Sequence, residues 1–228
     1  MVYSLKNKAS KIIVQFIWFV VLETVKNKFF PAPNFMIEAL RNYFIDKKVK
    51  LTQEELSYWL SLFIPRKIKR NEFLQREGEV SKHAAFVVKG CLRLYTVDAK
   101  GKEHIMQFAP ENWWVGDADS STKNIPSLYF IDAIEDSEVL LIETQSMDAA
   151  FKKIPAIAIF FQTLMQNRQS ATQKRIVNSM SASAEERYVD FLKTYPTFAQ
   201  RFPQHMIASY LGITPESLSR VRKQLVKK

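Results

Sequence analysis

Residues 204–223 read QHMIASYLGITPESLSRVRK, and the rest of the chain is best understood outward from them. The stretch has the layout of a helix-turn-helix. Ala208 is small where two helices must approach closely, and Gly212 sits where the turn needs a left-handed backbone. Ile207, Leu211, Ile213, Leu218 and Val221 supply the packing between the helices. Thr214 is placed as an N-cap, Pro215 at the first helical position and Glu216 in the first turn, so three signals agree on where the second helix begins.

The exposed face of that second helix carries chemistry. Glu216 and Arg220 are neighbours at i,i+4 spacing, with Ser217 and Lys223 beside them. Arginine is the usual bidentate partner of guanine O6/N7, and glutamate can accept from cytosine N4. These four residues are therefore the expected base readers. Thr214 at the helix start, Arg222, Lys227 and Lys228 are placed to meet phosphates. A plain αα-hairpin with a Glu216–Arg220 surface ion pair is the alternative. The joint match of small, turn, cap and apolar positions favours DNA binding.

Charge agrees with this. The 228 residues carry a formal net charge of +10, from 33 Lys+Arg against 23 Asp+Glu. Residues 166–228 hold 11 basic and four acidic side chains, whereas residues 36–165 hold 17 and 18. A near-neutral middle followed by a basic end suits a sensing or scaffold domain joined to a polyanion-binding one, although a solubilising basic tail has the same arithmetic. The 47% apolar content excludes a disordered or fibrous chain. One cysteine excludes an internal disulfide and a multi-cysteine metal site within one subunit.

The middle reads as short β-type runs between turn signals. The runs are Phe73-Leu74, Ala85–Val88, Cys91–Val97, His104–Phe108, Trp113–Val115, Leu128–Ala133 and Val139–Ile142. Regular short strands with no helix-sized interruption argue for a β-barrel or jelly roll. Before them stand an amphipathic helix opened by Met36 and a second helix, Thr52–Leu62, with Thr52 and Glu55 in capping-box spacing and Pro65 as its stop. The three histidines, His83, His104 and His205, have no metal-site spacing, and no Walker loop, GxSxG or GxGxxG occurs, so no metal site or enzyme is expected. The pair Trp113-Trp114 is read as core packing ahead of a binding platform.

Residues 145–180 are helix-compatible, with Pro155 separating a short helix from a long one. Along the long one, Ile157, Phe161, Leu164, Arg168, Ala171, Arg175 and Asn178 form a seam that starts apolar and becomes polar. This suits packing on the β-unit at the start and dimerisation along the length, against an intrachain helix as the competitor. Residues 1–35 carry an apolar run, Ile12–Leu22, too short to span a bilayer. Three readings of that segment stay open: an extra amphipathic helix, a weak membrane-surface anchor, or upstream sequence outside the working protein. No stable membrane insertion is expected.

Three stretches resemble the Crp–Fnr (cyclic-AMP receptor / fumarate–nitrate regulator) family of bacterial transcription regulators over about residues 36–225. FVVKGCLRLY, residues 86–95, resembles its β-roll strand–Gly–strand. Val115-Gly116-Asp117 resembles the start of its phosphate-binding cassette. Ser209–Lys223 resembles its recognition unit, with Glu216 and Arg220 matching two base-reading positions. The resemblance implies an α+β chain: a cyclic-nucleotide-binding-like β-roll (jelly roll) sensor at 36–150, a long dimerisation helix at 151–182 and a helix-turn-helix DNA-binding domain at 183–228. It also implies a cytoplasmic homodimer that regulates transcription, with double-stranded DNA and RNA polymerase as partners. The alternative is a small-molecule sensor module that does not read DNA.

Departures bear on the ligand. The implied pocket is Gly116, Asp117, Lys123 and Ser127, but the family's phosphate-gripping Arg-Ser pair reads Pro126-Ser127 here, and no arginine lies between Arg93 and Arg168. Lys123 replaces the bidentate grip only as a point charge. The effector is thus unidentified, cyclic AMP is not expected, and no cofactor is expected. Pro215 stands where the family has its first recognition-helix arginine.

Overall fold

The computed structural model describes residues 34–226, so the readings of the N-terminal apolar run, and the phosphate roles of Lys227 and Lys228, lie outside the described residues. The pattern from Met36 forms helix α1 (Asn34–Asp46), which buries Met36, Leu40, Tyr43 and Phe44. Helix α2 (Gln53–Ser61) opens with the capping box. The Thr52 hydroxyl accepts from the Glu55 N–H at 3.2 Å, and the Glu55 carboxylate accepts from the Thr52 N–H at 2.8 Å.

Eight strands follow: β1 (Ile64–Ile68), β2 (Phe73–Gln75), β3 (His83–Lys89), β4 (Leu92–Val97), β5 (Glu103–Ala109), β6 (Trp114–Val115), β7 (Phe130–Ala133) and β8 (Ser137–Glu143). They form two four-stranded antiparallel sheets, ordered β1-β8-β3-β6 and β2-β7-β4-β5. Ile68, Val87, Leu92, Leu94, Ile131 and Val139 fill the space between them. A second core lies beneath α1 and α2 around Trp59, whose ring meets Phe44, Phe63 and Phe161 edge-on.

Two elements correct the sequence reading. Pro65 does not stop a helix; α2 has ended at Ser61, and Pro65 lies in β1, at the edge of its sheet where a missing N–H is tolerated. A short helix, α3 (Ala118–Lys123), does interrupt the strand region. Its sequence, ADSSTK, has no apolar period, and it is held by its ends: Asp117 caps the first turn, and Asn124 closes the last with a left-handed backbone (φ +53°).

Helix α4 (Thr144–Lys153) and the 27-residue helix α5 (Pro155–Ser181) divide at Pro155 as expected. Several residues of the seam expected to pack on the roll and to meet a partner have neighbours within the chain itself. Ile157 and Phe161 are buried, Arg175 donates to the Met106 carbonyl at 2.9 Å, and Asn178 lies 3.5 Å from the Asp190 carboxylate. A 4–3 pattern reports one buried face without saying what buries it.

Four helices complete the chain: α6 (Ala184–Thr194), α7 (Phe198–Arg201), α8 (Gln204–Leu211) and α9 (Pro215–Val226). Ser183 and Glu186 form a capping box at the start of α6. These helices share one core with the outer face of β4 and β5, in which Tyr95, Ile105 and Phe108 pack among Phe191, Phe198, Phe202, Ile207 and Leu211. Phe108 stacks on Phe202 with centroids 4.8 Å apart. The Ser209 hydroxyl donates to the Glu103 carbonyl at 2.7 Å and accepts from the Ile105 N–H at 3.0 Å, so α8 binds the exposed edge of β5. Arg201 adds paired bonds of 2.8 and 2.7 Å to Glu111 and an ion pair with Glu135.

Gly90 joins β3 to β4 at φ +90°, and a Cβ there would lie 2.7 Å from the Ser137 Cα and 2.8 Å from the Asp136 carbonyl oxygen. Replacing Gly90 by Ala is expected to cost at least about 2 kcal/mol through strain and overpacking. Equilibrium denaturation measures it, and an unchanged midpoint would refute the close approach.

Burial pushes the Glu111 carboxyl up, but the Arg201 bonds outweigh it and hold the group below its ordinary range. A depressed carboxylate stabilises the folded state above its unfolded pKa and loses that contribution as pH falls through the folded value. Docking of α7 on the roll should therefore weaken below about pH 4. Amide exchange of residues 198–202 follows this directly, and Arg201→Met should remove that step.

Candidate functional site

Helices α8 and α9 meet through Ile207, Ala208, Leu218 and Val221, all buried. Gly212 ends α8 with φ +67°, and the Arg187 guanidinium donates to the Leu211 carbonyl at 3.1 Å, satisfying a helix end. Thr214 caps α9: its hydroxyl accepts from the Ser217 N–H at 3.2 Å and donates to the Ser217 hydroxyl at 3.1 Å. Every packing, turn and cap position read from residues 204–223 is thus used for that purpose.

On the outer side of α9, Glu216, Arg220, Arg222 and Lys223 are exposed and Ser217 is half-buried. Glu216, Arg220 and Lys223 follow i, i+4, i+7 spacing and share one stripe. Among the described residues no ion pair joins Glu216 to Arg220, and Arg220, Arg222 and Lys223 have no acidic partner. The Glu216 carboxyl is held below its ordinary range by backbone N–H donation at the helix start and by the Thr214 hydroxyl. The stripe therefore presents one carboxylate acceptor and a set of uncommitted cationic donors.

The cassette around α3 has a different character. Asp117 is buried; one oxygen accepts from the Ser120 N–H at 3.2 Å and the other from the Ser127 hydroxyl at 2.7 Å. Ser127 is also buried and accepts from the Gln75 amide at 2.7 Å and the Tyr129 N–H at 3.1 Å. A Cβ on Gly116 would sit 3.3 Å from the Ala84 Cα, so the glycine lets this turn lie close on β3. Lys123 points elsewhere, pairing with Asp119 at 3.0 Å on the surface of α3. Asp117 and Ser127 are thus brought together with their bonds spent on each other and on the loop, while Lys123 stays apart. The cation that faces this corner is Arg168 of α5. Burial pulls its pKa down, and the Tyr129 and Asp117 charges oppose that pull. Sequence separation from the cassette hid it; its place on the inward seam was the available signal.

Comparison with known proteins follows the same division. The family described as "Cyclic nucleotide-binding domain" matches residues 65–153, which span β1 to α4. The regulatory protein HlyX of Actinobacillus pleuropneumoniae is 28% identical over 185 residues, 75% of each chain. The fumarate and nitrate reduction regulatory protein of Vibrio cholerae is 29% identical over 184 residues, 75% of this chain and 72% of that one. Among solved structures, FixK2 of Bradyrhizobium japonicum superposes with a TM-score of 0.66 at 21% identity, covering 72% of this chain and 85% of its own. The global regulator CLP of Xanthomonas campestris does so with 0.64 at 14% identity, covering 77% and 92%. With a cyclic-nucleotide-type roll, a long helix and a C-terminal helical bundle in this order, the chain carries a cyclic nucleotide-binding domain and is similar over about three quarters of its length to bacterial regulatory proteins of the fumarate and nitrate reduction type.

Proposed function

We propose that the chain is a homodimeric, sequence-specific DNA-binding regulator of transcription, working in the cytoplasm, with residues 36–150 as sensor, 151–182 as dimerisation helix and 183–228 as helix-turn-helix domain. The observation that carries the reading is the unpaired stripe on α9. Glu216, Ser217, Arg220 and Lys223 read base edges in the major groove, and Thr214, Arg222 and Lys227 meet phosphates. The Thr214 hydroxyl is committed to its cap, so its phosphate contact comes from the backbone at the start of α9. The proposed sensor pocket of Gly116, Asp117, Lys123 and Ser127 has no arginine within the cassette itself, where Lys123 pairs with Asp119, and cyclic AMP is not its expected ligand.

Dimerisation is assigned to the outer face of α5. Ile159, Gln162, Gln166, Gln169, Gln173, Ile176 and Met180 recur at alternating three- and four-residue steps and are all exposed. That is an a/d seam with apolar ends and a glutamine centre.

Arg220→Ala is expected to reduce discrimination between the preferred site and a mismatched one by about 1–3 kcal/mol. Arg222→Ala is expected to weaken all sequences alike and to flatten the salt dependence by about one phosphate contact. Fluorescence anisotropy across a salt series reads both, and an unchanged specific-to-nonspecific ratio in Arg220→Ala would refute its role. Placing glutamates at Ile176 and Met180 together is expected to convert the dimer to monomer in sedimentation velocity. A dimer that survives would move the interface off this face.

A further inference from the structure

We infer that the polar lock between the C-terminal helices and the edge of β5 fixes the separation at which two DNA half-sites are read, with Ser209 and Arg201 as its positioning residues. The inference rests on the proposed function, in which two copies of α9 meet one duplex. A dimer with loose joints accepts half-sites at several separations, whereas one with fixed joints accepts one. Adding a base pair moves a half-site by about 3.4 Å along the duplex and turns it by about 35° around the axis. The second α9 then misses its groove unless its own joint yields.

The covalent joint does not fix that angle. Helix α5 ends at Ser181 and α6 starts at Ala184, and Ala182 and Ser183 between them are extended, a two-residue hinge. The Lys174–Asp190 ion pair across the hinge, at 3.1 Å, is solvent-exposed and therefore weak. Orientation comes from β5 instead. Phe108 lies against the rings of Phe198, Phe202 and Tyr210, a contact that opposes separation but is not directional. Direction is supplied by hydrogen bonds at the two ends of the seven-residue strand. Ser209 takes the Glu103 carbonyl and the Ile105 N–H at its start, and Arg201 takes Glu111 in the turn beyond its end. These anchors stand about 20 Å apart along the strand, so together they prevent the helices from rotating on the sheet. Between them, Arg175 of α5 bonds the Met106 carbonyl and lies over the Tyr210 ring, which aligns the long helix to the same edge. Removing the Ser209 hydroxyl leaves a carbonyl and an N–H of the edge unpaired, which favours entry of water and release of the lock.

Affinity of the full chain for a series of duplexes tests this. The half-sites are those that the wild-type chain enriches from a random pool, and only their separation is changed, by one or two base pairs in either direction. The wild-type chain should lose at least about tenfold in affinity on a change of one base pair. The double variant Ser209→Ala, Arg201→Met should bind every separation within about threefold of the best while enriching the same half-site bases. Ser209→Ala alone should fall between the two. Thermal unfolding confirms that the variants fold, and faster amide exchange at Ile105 reports the opened lock. Wild-type affinity indifferent to separation, or a double variant as selective as the wild type, would overturn the inference. So would a loss of affinity that is equal at all separations, since it makes the two residues structural only. A wild-type chain that enriches no paired half-sites rejects the proposed function and this inference with it, whereas enrichment of half-sites without regard to separation rejects the inference alone.

Discussion

The placement of α9 depends on one interface, the packing of Phe108 and its neighbours on β4 and β5 against the aromatic rings of α6, α7 and α8. Both faces of the β2-β7-β4-β5 sheet are buried as a result. Leu92 and Leu94 point into the space between the sheets, while Tyr95, Ile105 and Phe108 point into the C-terminal helices. Burial of this apolar area at about 25 cal/mol per Å² makes the contact favourable, and the polar bonds at its edge fix its orientation. Ser209 pairs with the β5 backbone as a strand would, and Arg201 reaches two carboxylates of the roll. The C-terminal helices are therefore held on the β-roll rather than tethered to it.

A buried ionic network stiffens the same sheet from within. Arg93 of β4 pairs with Asp132 of β7 through bonds of 2.7 and 2.9 Å and with Glu103 of β5, and its guanidinium lies 4.1 Å over the Tyr95 ring. Three strands are joined by one side chain. Burial works against its charge, but the two carboxylates more than compensate and raise its pKa. Ser209 consequently docks onto a strand whose register is fixed, and Arg201 onto the turns that follow β5 and β7.

Local signals were the readable part of the chain. The caps at Thr52 and Thr214, the turn at Gly212 and the break at Pro155 each need only a few adjacent residues, and each element formed where those residues placed it. β1 and α3 were not readable for the converse reason. Pro65 is compatible with an edge strand only if one knows the strand is at an edge, and ADSSTK is helical because Asp117 and Asn124 hold its ends. The long helix shows the limit most clearly. Its inward seam, Ile157 to Asn178, was visible as a periodicity, but which body would cover it depends on the placement of β5 and α6. Docking of the C-terminal helices on β5 had no local signature at all. The exposure of Glu216, Arg220 and Lys223 on one face of α9 was legible from their spacing, whereas the cassette's Ser127 looked available and is locked by Gln75 and Asp117.

The charge of the chain divides accordingly. The basic residues 166–228 include the open cations of α9 but also Arg175 and Arg201, which are spent on holding the helices to the roll. The cations left open on α9 form a narrow stripe, and on the proposed reading a narrow stripe implies sequence reading rather than general affinity for polyanions. Selection of bound duplexes from a random pool with the full chain tests this most directly. The account predicts enrichment of a near-palindrome with half-sites about one helical turn apart. Recovery of unenriched sequence, at an affinity that only salt controls, would contradict it.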